Sequence, residues 1–453
     1  MAWFLSKVLA EHEIESLEKA IITEASEGDA GSAWEKLETL RKAQEHQREA
    51  AWALLRISDQ QLFAPEDVAD VLMDVAAVHG DEPELMALMG DCLEAIRDID
   101  NLNAAPPDHP VFQHVVGRLS ALADAHEGGE DEEALLRGLS GAARMVARQR
   151  DELAEASYRK LVEINPQKCS NHYNLGLFFK TRGRFQEGME ANRRALELSG
   201  EDDEPYVWNL GICATGAGDA DVALKVWKGI GNKIEMGRFG LPDGRYPTCK
   251  VRLAERPLAE RSAENDDPGQ EETIWIERLS PCHGIIRSVL YHDLGVNYGD
   301  VVLIDGAPIT YHKYGDEEVP VFPHMATLIK RNYQIYAFAG TQEAARQLAD
   351  VSVDLEGDAL VYSHTESYRE LCACCWRDPD VDHEQHDVVE QHVVTGRIAA
   401  PAELAPGELL AQIDKGLAER APCKLYAPEL CRAAGLEERA GVEQRRFEML
   451  MGN

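Results

Sequence analysis

Apolar residues recur at three- and four-residue spacing through the first 130 or so positions, the rhythm of helices that bury one side. After Pro65, residues Val68, Val71, Leu72 and Val75 fall at i, i+3, i+4 and i+7, and the pattern stops at Gly80. Proline in the first turn and glycine past the last mark the two ends of a helix. Leu85, Leu88, Cys92 and Ile96 repeat the pattern at once, so the pair predicts a helical hairpin. Ile14, Leu17 and Ile21, then Trp34, Leu37 and Leu40, then Val111, Val115, Leu119 and Leu122 predict further helix faces. At the start, Phe4, Leu5, Val8 and Leu9 read as one more helix packed on its neighbour. No basic n-region or small-residue cleavage site accompanies them, which argues against a secretory leader. Residues 1–134 are therefore expected to be helical and repeat-like.

From about residue 135 the helices acquire a period. Asn174-Leu175-Gly176 recurs as Asn209-Leu210-Gly211, and Gly183 recurs as Gly218, both at a shift of 35 residues. A period of this length marks stacked helical hairpins. Ala154, Tyr158 and Pro166 resemble the second-helix signature of the tetratricopeptide repeat family. His172, Leu175, Gly176, Phe179, Gly188, Ala195 and Leu196 resemble a second unit, and Leu210, Gly211, Ala223 and Trp227 a third, with one residue inserted at Glu201–Glu204. The sequence departs from that pattern at Gly200, where the family prefers Pro, and at Asn192, where it prefers an aromatic. The resemblance covers roughly residues 135–237 and implies an all-α solenoid whose first helices line a groove for extended peptides. Carried onto this chain, it implies that Tyr173, Asn174, Leu177 and Lys180 of one unit and Trp208, Asn209 and Ile212 of the next contact a partner. An Asn amide can both donate to and accept from a peptide backbone, and Tyr and Trp are frequent interface anchors.

Beyond a Gly- and Pro-rich stretch at residues 237–247 the period changes to two. Cys249, Val251 and Leu253 alternate with Lys250 and Arg252, as in a half-buried strand. Residues 274–276, 285–290, 301–304, 333–338 and 359–362 predict further strands, residues 341–348 a helix, and Asp305-Gly306 a tight turn between strands. Residues 238–400 are thus expected to form an α+β domain, and residues 401–453 a helical tail. The fold class is a multidomain chain: an all-α solenoid, then an α+β domain, then helices.

The charge narrows the partners. The 453 residues contain 46 Lys and Arg against 81 Asp and Glu, a formal net charge of −35, which repels nucleic acid and anionic membrane surfaces and selects for basic partners. No stretch approaches a membrane span. The cysteines have no framework spacing and read as reduced cytoplasmic thiols. Cys372, Cys374 and Cys375, followed by His383 and His386, supply thiolate and imidazole, the ligands zinc prefers, although Cys-x-Cys is tighter than the usual zinc knuckle. Cys282-His283 pairs a thiol with an imidazole, but neighbours on an extended chain point to opposite faces, so this dipeptide needs a distant partner to act. Phosphate-loop, dinucleotide, zinc-helix and nucleophile-elbow motifs are absent from the sequence. The favoured expectation is a cytoplasmic interaction scaffold that grips an extended or basic segment of a protein partner in the repeat groove, with the α+β domain as a second docking module. The alternative is a metal-dependent or thiol enzyme with its site in residues 238–400, marked by a deep pocket gathering His283, His292, His312, His324 or His364.

Overall fold

A computed structural model describes residues 8–96, 109–146, 148–199, 204–315, 317–372 and 388–452. The chain divides into two compact units, residues 1–226 with 259–267, and residues 227–258 with 268–453.

The first unit is a run of antiparallel helices. They are α1 (Glu11–Ser26), α2 (Ala30–Gln44), α3 (Arg48–Ser58), α4 (Pro65–His79), α5 (Pro83–Ile96), α6 (Pro110–Ala125), α7 (Glu132–Arg144), α8 (Asp151–Ile164), α9 (Cys169–Thr181), α10 (Phe185–Ser199), α11 (Glu204–Gly216) and α12 (Ala220–Gly229). α1, α3, α5 and α7 touch in succession, as do α9 with α11 and α2 with α4 and α6, so the helices form two layers as in a solenoid. The apolar positions read from the sequence line one continuous core: Ile14, Ile21, Leu37, Val68, Leu72, Leu85, Val115 and Tyr158 are all buried. Bonds between successive helices of one layer repeat at a near-constant sequence separation. His79 Nε2 meets the Gln44 carbonyl 35 residues away at 2.8 Å, Cys92 Sγ donates to the Leu55 carbonyl 37 residues away at 3.2 Å, and Arg150 donates to Gln113 37 residues away at 2.9 Å. Equivalent positions of neighbouring hairpins are therefore in contact from the first helices onward.

Two local features show why the repeat residues recur. Gly183 and Gly218 both adopt left-handed φ, +72° and +77°, a conformation that other residues adopt at a cost. In both turns the following amide reaches back five residues, Arg184 N to Phe179 O at 3.0 Å and Asp219 N to Ala214 O at 2.9 Å, closing the first helix of each unit the same way. Gly176 lets α10 approach so closely that a Cβ there would lie 2.3 Å from Asn192 Nδ2. Asn192, in place of the usual aromatic, is fully buried and donates instead to the Gly188 carbonyl at 2.7 Å.

The second unit is β-rich. β1 (Ile234–Met236) and β2 (Pro242–Gly244) form a small ribbon. β3 (Cys249–Ala254), β4 (Glu271–Arg278), β5 (His283–Ile286), β6 (Val301–Ile304), β7 (Thr310–Tyr314) and β8 (Glu317–Ile329) form one sheet, and a parallel pairing of β3 with β8 closes it into a five-stranded barrel of β3, β4, β5, β6 and β8. Inside lie Val251, Leu253, Ile274, Ile276, Ile286, Val302, Ile304 and Phe322. β9 (Gln334–Gln342), β10 (Leu360–Cys372), β11 (Val388–Ala400) and β12 (Lys424–Tyr426) form a second sheet in the order β10-β11-β9-β12. Helices α13 (Pro406–Glu419), α14 (Pro428–Ala433) and α15 (Glu437–Met451) cover it around Phe338, Val394, Ile398, Leu409 and Ile413. The tail is helical as expected, and it also supplies β12 to the sheet.

Several local expectations are corrected. Asp305-Gly306 does not close a hairpin: β6 and β7 both pair with β8, in registers that run on from each other, so the dipeptide interrupts one long arm and the reversal comes after Tyr314. The helix expected at residues 341–348 is absent; β9 continues to Gln342, and a short 3-10 turn, Ala349–Asp354, follows. Pairing with β11 and β12 holds Thr341 in the sheet, in line with the strand preference of its branched side chain. At the start, Phe4 and Leu5 lie outside the described residues, and Val8 is exposed ahead of α1 rather than packed.

Candidate functional site

The first helices of two successive repeats, α9 and α11, carry the residues that the resemblance points to. Tyr173, Asn174, Leu177 and Trp208 are half-buried, and the Tyr173 ring lies 4.8 Å from that of Tyr206, whose hydroxyl sits 3.6 Å from Cys169 Sγ. The other three lie deeper. Lys180 is 4% exposed and donates to Asn209 Oδ1 at 2.9 Å, Asn209 is 5% exposed, and Ile212 is packed in the core at 1%. The ammonium of one repeat is therefore clasped by the amide of the next, so these two side chains couple the hairpins. That leaves Asn209 Nδ2 buried with no hydrogen-bond partner among the described residues. Asn174, one repeat earlier, stays half-exposed. The difference follows from what stands before each: Lys180 precedes Asn209, whereas Met145 holds the corresponding place before Asn174.

Arginines behind this layer set the hairpin spacing. Arg182 grips Asp151 with two bonds, 2.9 and 2.7 Å, donates to the Arg144 carbonyl at 3.0 Å and lies over the Phe178 ring. Arg184 bonds Glu155 and Glu187 and lies 4.4 Å from the Phe179 ring centre; its hydrogen bond holds the Glu187 carboxyl below the usual range. Arg148 donates to Asp266 at 2.8 Å and to the Thr181 carbonyl at 3.0 Å, and burial together with the Arg182 charge lowers its pKa. The sequence reading passed over these arginines; the signal was an acidic partner about one repeat upstream of each of Arg182 and Arg184.

In the second unit, Cys282 and His283 are fully buried. Ser280 Oγ accepts the Cys282 and His283 amides, each at 3.1 Å, and its hydroxyl is left to donate to His283 Nδ1 at 2.5 Å. Burial pushes the imidazole pKa down to about 4. Thiol and imidazole thus belong to a sealed turn, closed further by Arg278 on the Ser280 and Pro281 carbonyls. A cleft of about 570 Å³ opens elsewhere in this unit, walled by Asp293, Asp300, Lys330, Tyr333, Arg397 and Glu429; none of the five histidines lines it. Of the zinc candidates, Cys372 ends β10 opposite Val388, while Cys374, Cys375, His383 and His386 lie outside the described residues. Among the described residues no three His, Cys, Asp or Glu side chains gather as a metal site. No described helix is long and apolar enough to cross a membrane.

No family model matches the sequence, and no curated protein is significantly similar to it. Solved structures similar to this chain include MamA (residues 41 to the end) from Desulfovibrio magneticus RS-1, 19% identical with a TM-score of 0.29, covering 40% of this chain and 92% of that one. The pilF protein of Pseudomonas aeruginosa is 14% identical with a TM-score of 0.31, covering 48% and 90%. Acl4 (residues 1–338), an assembly chaperone of RpL4, is 16% identical with a TM-score of 0.30, covering 48% and 89%. These scores are too low for any of the three to lend its role to this chain. The matching glycine caps, the Gly176 close approach and the 35-residue shift stand on the chain's own geometry: the hairpins built around Leu175-Gly176 and Leu210-Gly211 are tetratricopeptide-like repeats.

Proposed function

We propose that the chain is a protein-interaction scaffold that holds an extended segment of a partner protein along α9 and α11. The observation that carries this reading is the half-exposed row of Tyr173, Asn174 and Trp208 along the first helices of two successive repeats. The half-exposed Asn174 amide can donate to a partner carbonyl and accept from a partner N–H. An extended backbone offers such carbonyls at regular spacing, and the two tyrosine rings and Trp208 offer its side chains flat apolar contact. The net charge of −35 adds a long-range attraction for basic flanking residues, which raises the encounter rate more than the final affinity. The setting that fits is the cytoplasm, where free thiols persist.

The test is affinity capture with the full tagged chain, comparing the wild type with Asn174→Ala and with Asn174→Ala/Asn209→Ala. Captured partner is expected to fall about tenfold in the double variant and several-fold in the single one, as when central interface contacts are truncated. The Asn174 side chain makes no hydrogen bond among the described residues, so its variant keeps the native melting temperature. Unchanged capture by both variants would remove these helices as the docking face.

A further inference from the structure

The outer face of the barrel carries a buried ammonium that hydrogen-bonds a phenol and an imidazole. Lys250 points away from the core side of β3 occupied by Val251 and Leu253, yet it is only 8% exposed. Its ammonium lies 5.3 Å from the Trp275 ring centre and 4.6 Å from that of Tyr314. It donates to the Tyr314 hydroxyl oxygen and, at 3.3 Å, to His312 Nδ1. Among the described residues it has no carboxylate partner, and neither has Arg252, two residues along the same face. Despite the chain's excess of acid, these two cations lie on one face of β3 without a carboxylate. Cation–π contact offsets part of the cost of a buried charge and leaves the rest uncompensated.

The hydrogen-bond directions determine what the cluster can accept. An ammonium has no acceptor, so it must donate to both neighbours. His312 Nδ1 therefore accepts, which leaves Nε2 as the donor side of the ring. Tyr314, already accepting, has its own O–H left to donate. The remaining Lys250 N–H, the Tyr314 O–H and the His312 Nε2 side make a set of donors, and Arg252 follows two residues along the same face of β3. Beside them Trp275 and Tyr314 are 38% and 49% exposed, their ring centres 6.2 Å apart.

We propose that this face of the barrel binds a phosphate monoester carried on a flat ring, with Lys250, Arg252, His312 and Tyr314 holding the oxyanion and Trp275 contacting the ring. Charge-assisted bonds to a dianion are the strong class, and a ring-borne phosphate uses the aromatic rim as well. Glu317, cross-strand from Tyr314 and exposed, opposes the anion.

The test is a titration of the full chain, followed by ³¹P NMR and tryptophan fluorescence, with inorganic phosphate, AMP and O-phospho-L-tyrosine. At least one ring-bearing ester is expected to bind about fivefold or more tighter than inorganic phosphate. Preference for AMP or for phosphotyrosine identifies the source of the phosphate. Lys250→Gln is expected to weaken binding at least tenfold while leaving the melting temperature unchanged or higher, since it removes a buried charge. Arg252→Gln should weaken binding several-fold, Trp275→Leu should abolish the preference for a ring, and Glu317→Gln should tighten binding. If none of the three ligands binds saturably, or if Lys250→Gln and Arg252→Gln both bind as the wild type does, the site does not exist.

Discussion

The two units are held together by contacts of different reach. In the helical unit, bonds between hairpins join residues about one repeat apart: 33 for Arg41 to Asp74, 34 for Arg48 to Glu82, 35 for Lys168 to Glu133. In the β-rich unit they span 64 residues from Lys250 to Tyr314, 81 from Arg369 to the Leu450 carbonyl and 106 from Arg397 to the Tyr291 carbonyl. A solenoid is stabilised neighbour by neighbour, so damage stays near where it is made. A closed barrel and a sheet whose edge strand comes from the far end of the chain form only when distant segments meet, so damage is shared.

The largest test of this contrast pairs two core truncations. Phe338→Ala in the second sheet and Phe112→Ala in α6 remove equally buried rings, and each should cost about 3–5 kcal/mol. Hydrogen exchange should show protection falling across β9, β10, β11 and α13 in the first variant, but only across α5 to α7 in the second. Loss spread evenly from α1 to α11 would refute nearest-neighbour stabilisation.

A pH test comes next. His283 has its pKa lowered from an ordinary 6.5 to about 4 by burial. Between those values the unfolded chain binds more protons than the native one, so stability rises with pH across that window and is lost as pH falls through it. The lowering corresponds to about 3 kcal/mol. Denaturant unfolding of the β-rich unit should weaken from pH 7 to pH 4.5, and His283→Gln should flatten that slope relative to the wild type. An equal slope in the variant would assign the effect to other groups.

The smallest effect separates two arginines of the helical unit. Arg182, with two bonds to Asp151 and one to a carbonyl, is 13% exposed, whereas Arg159 pairs with Glu155 at 50% exposure. Arg182→Ala should cost roughly 2 kcal/mol and Arg159→Ala roughly 0.5 or less, read from urea midpoints. Similar shifts for the two would mean that burial does not govern these pairs.

Legibility in the sequence followed the same division. The helix over Pro65–His79 and the matched caps at Gly183 and Gly218 were readable, because helical periodicity and left-handed glycines act within a few residues. The candidate docking residues were legible as positions but not as environments. Nothing local says that Lys180 spends a hydrogen bond on Asn209 or that Ile212 is sealed while Trp208 is not. β8 and β11, each 13 residues long, were overlooked, and Thr341 was read as helix rather than as the end of β9. Their strand character comes from partners far along the chain.

What the sequence settled alone was a stack of paired helices with a 35-residue step and an acidic surface, since both arise from neighbouring residues and simple addition of charge. Only the tertiary structure decided that Asp305-Gly306 interrupts a strand arm, that the tail completes a sheet, and that Lys250 meets His312 and Tyr314. Those outcomes depend on which remote strands lie side by side, and residue identities along one segment do not encode the register of another.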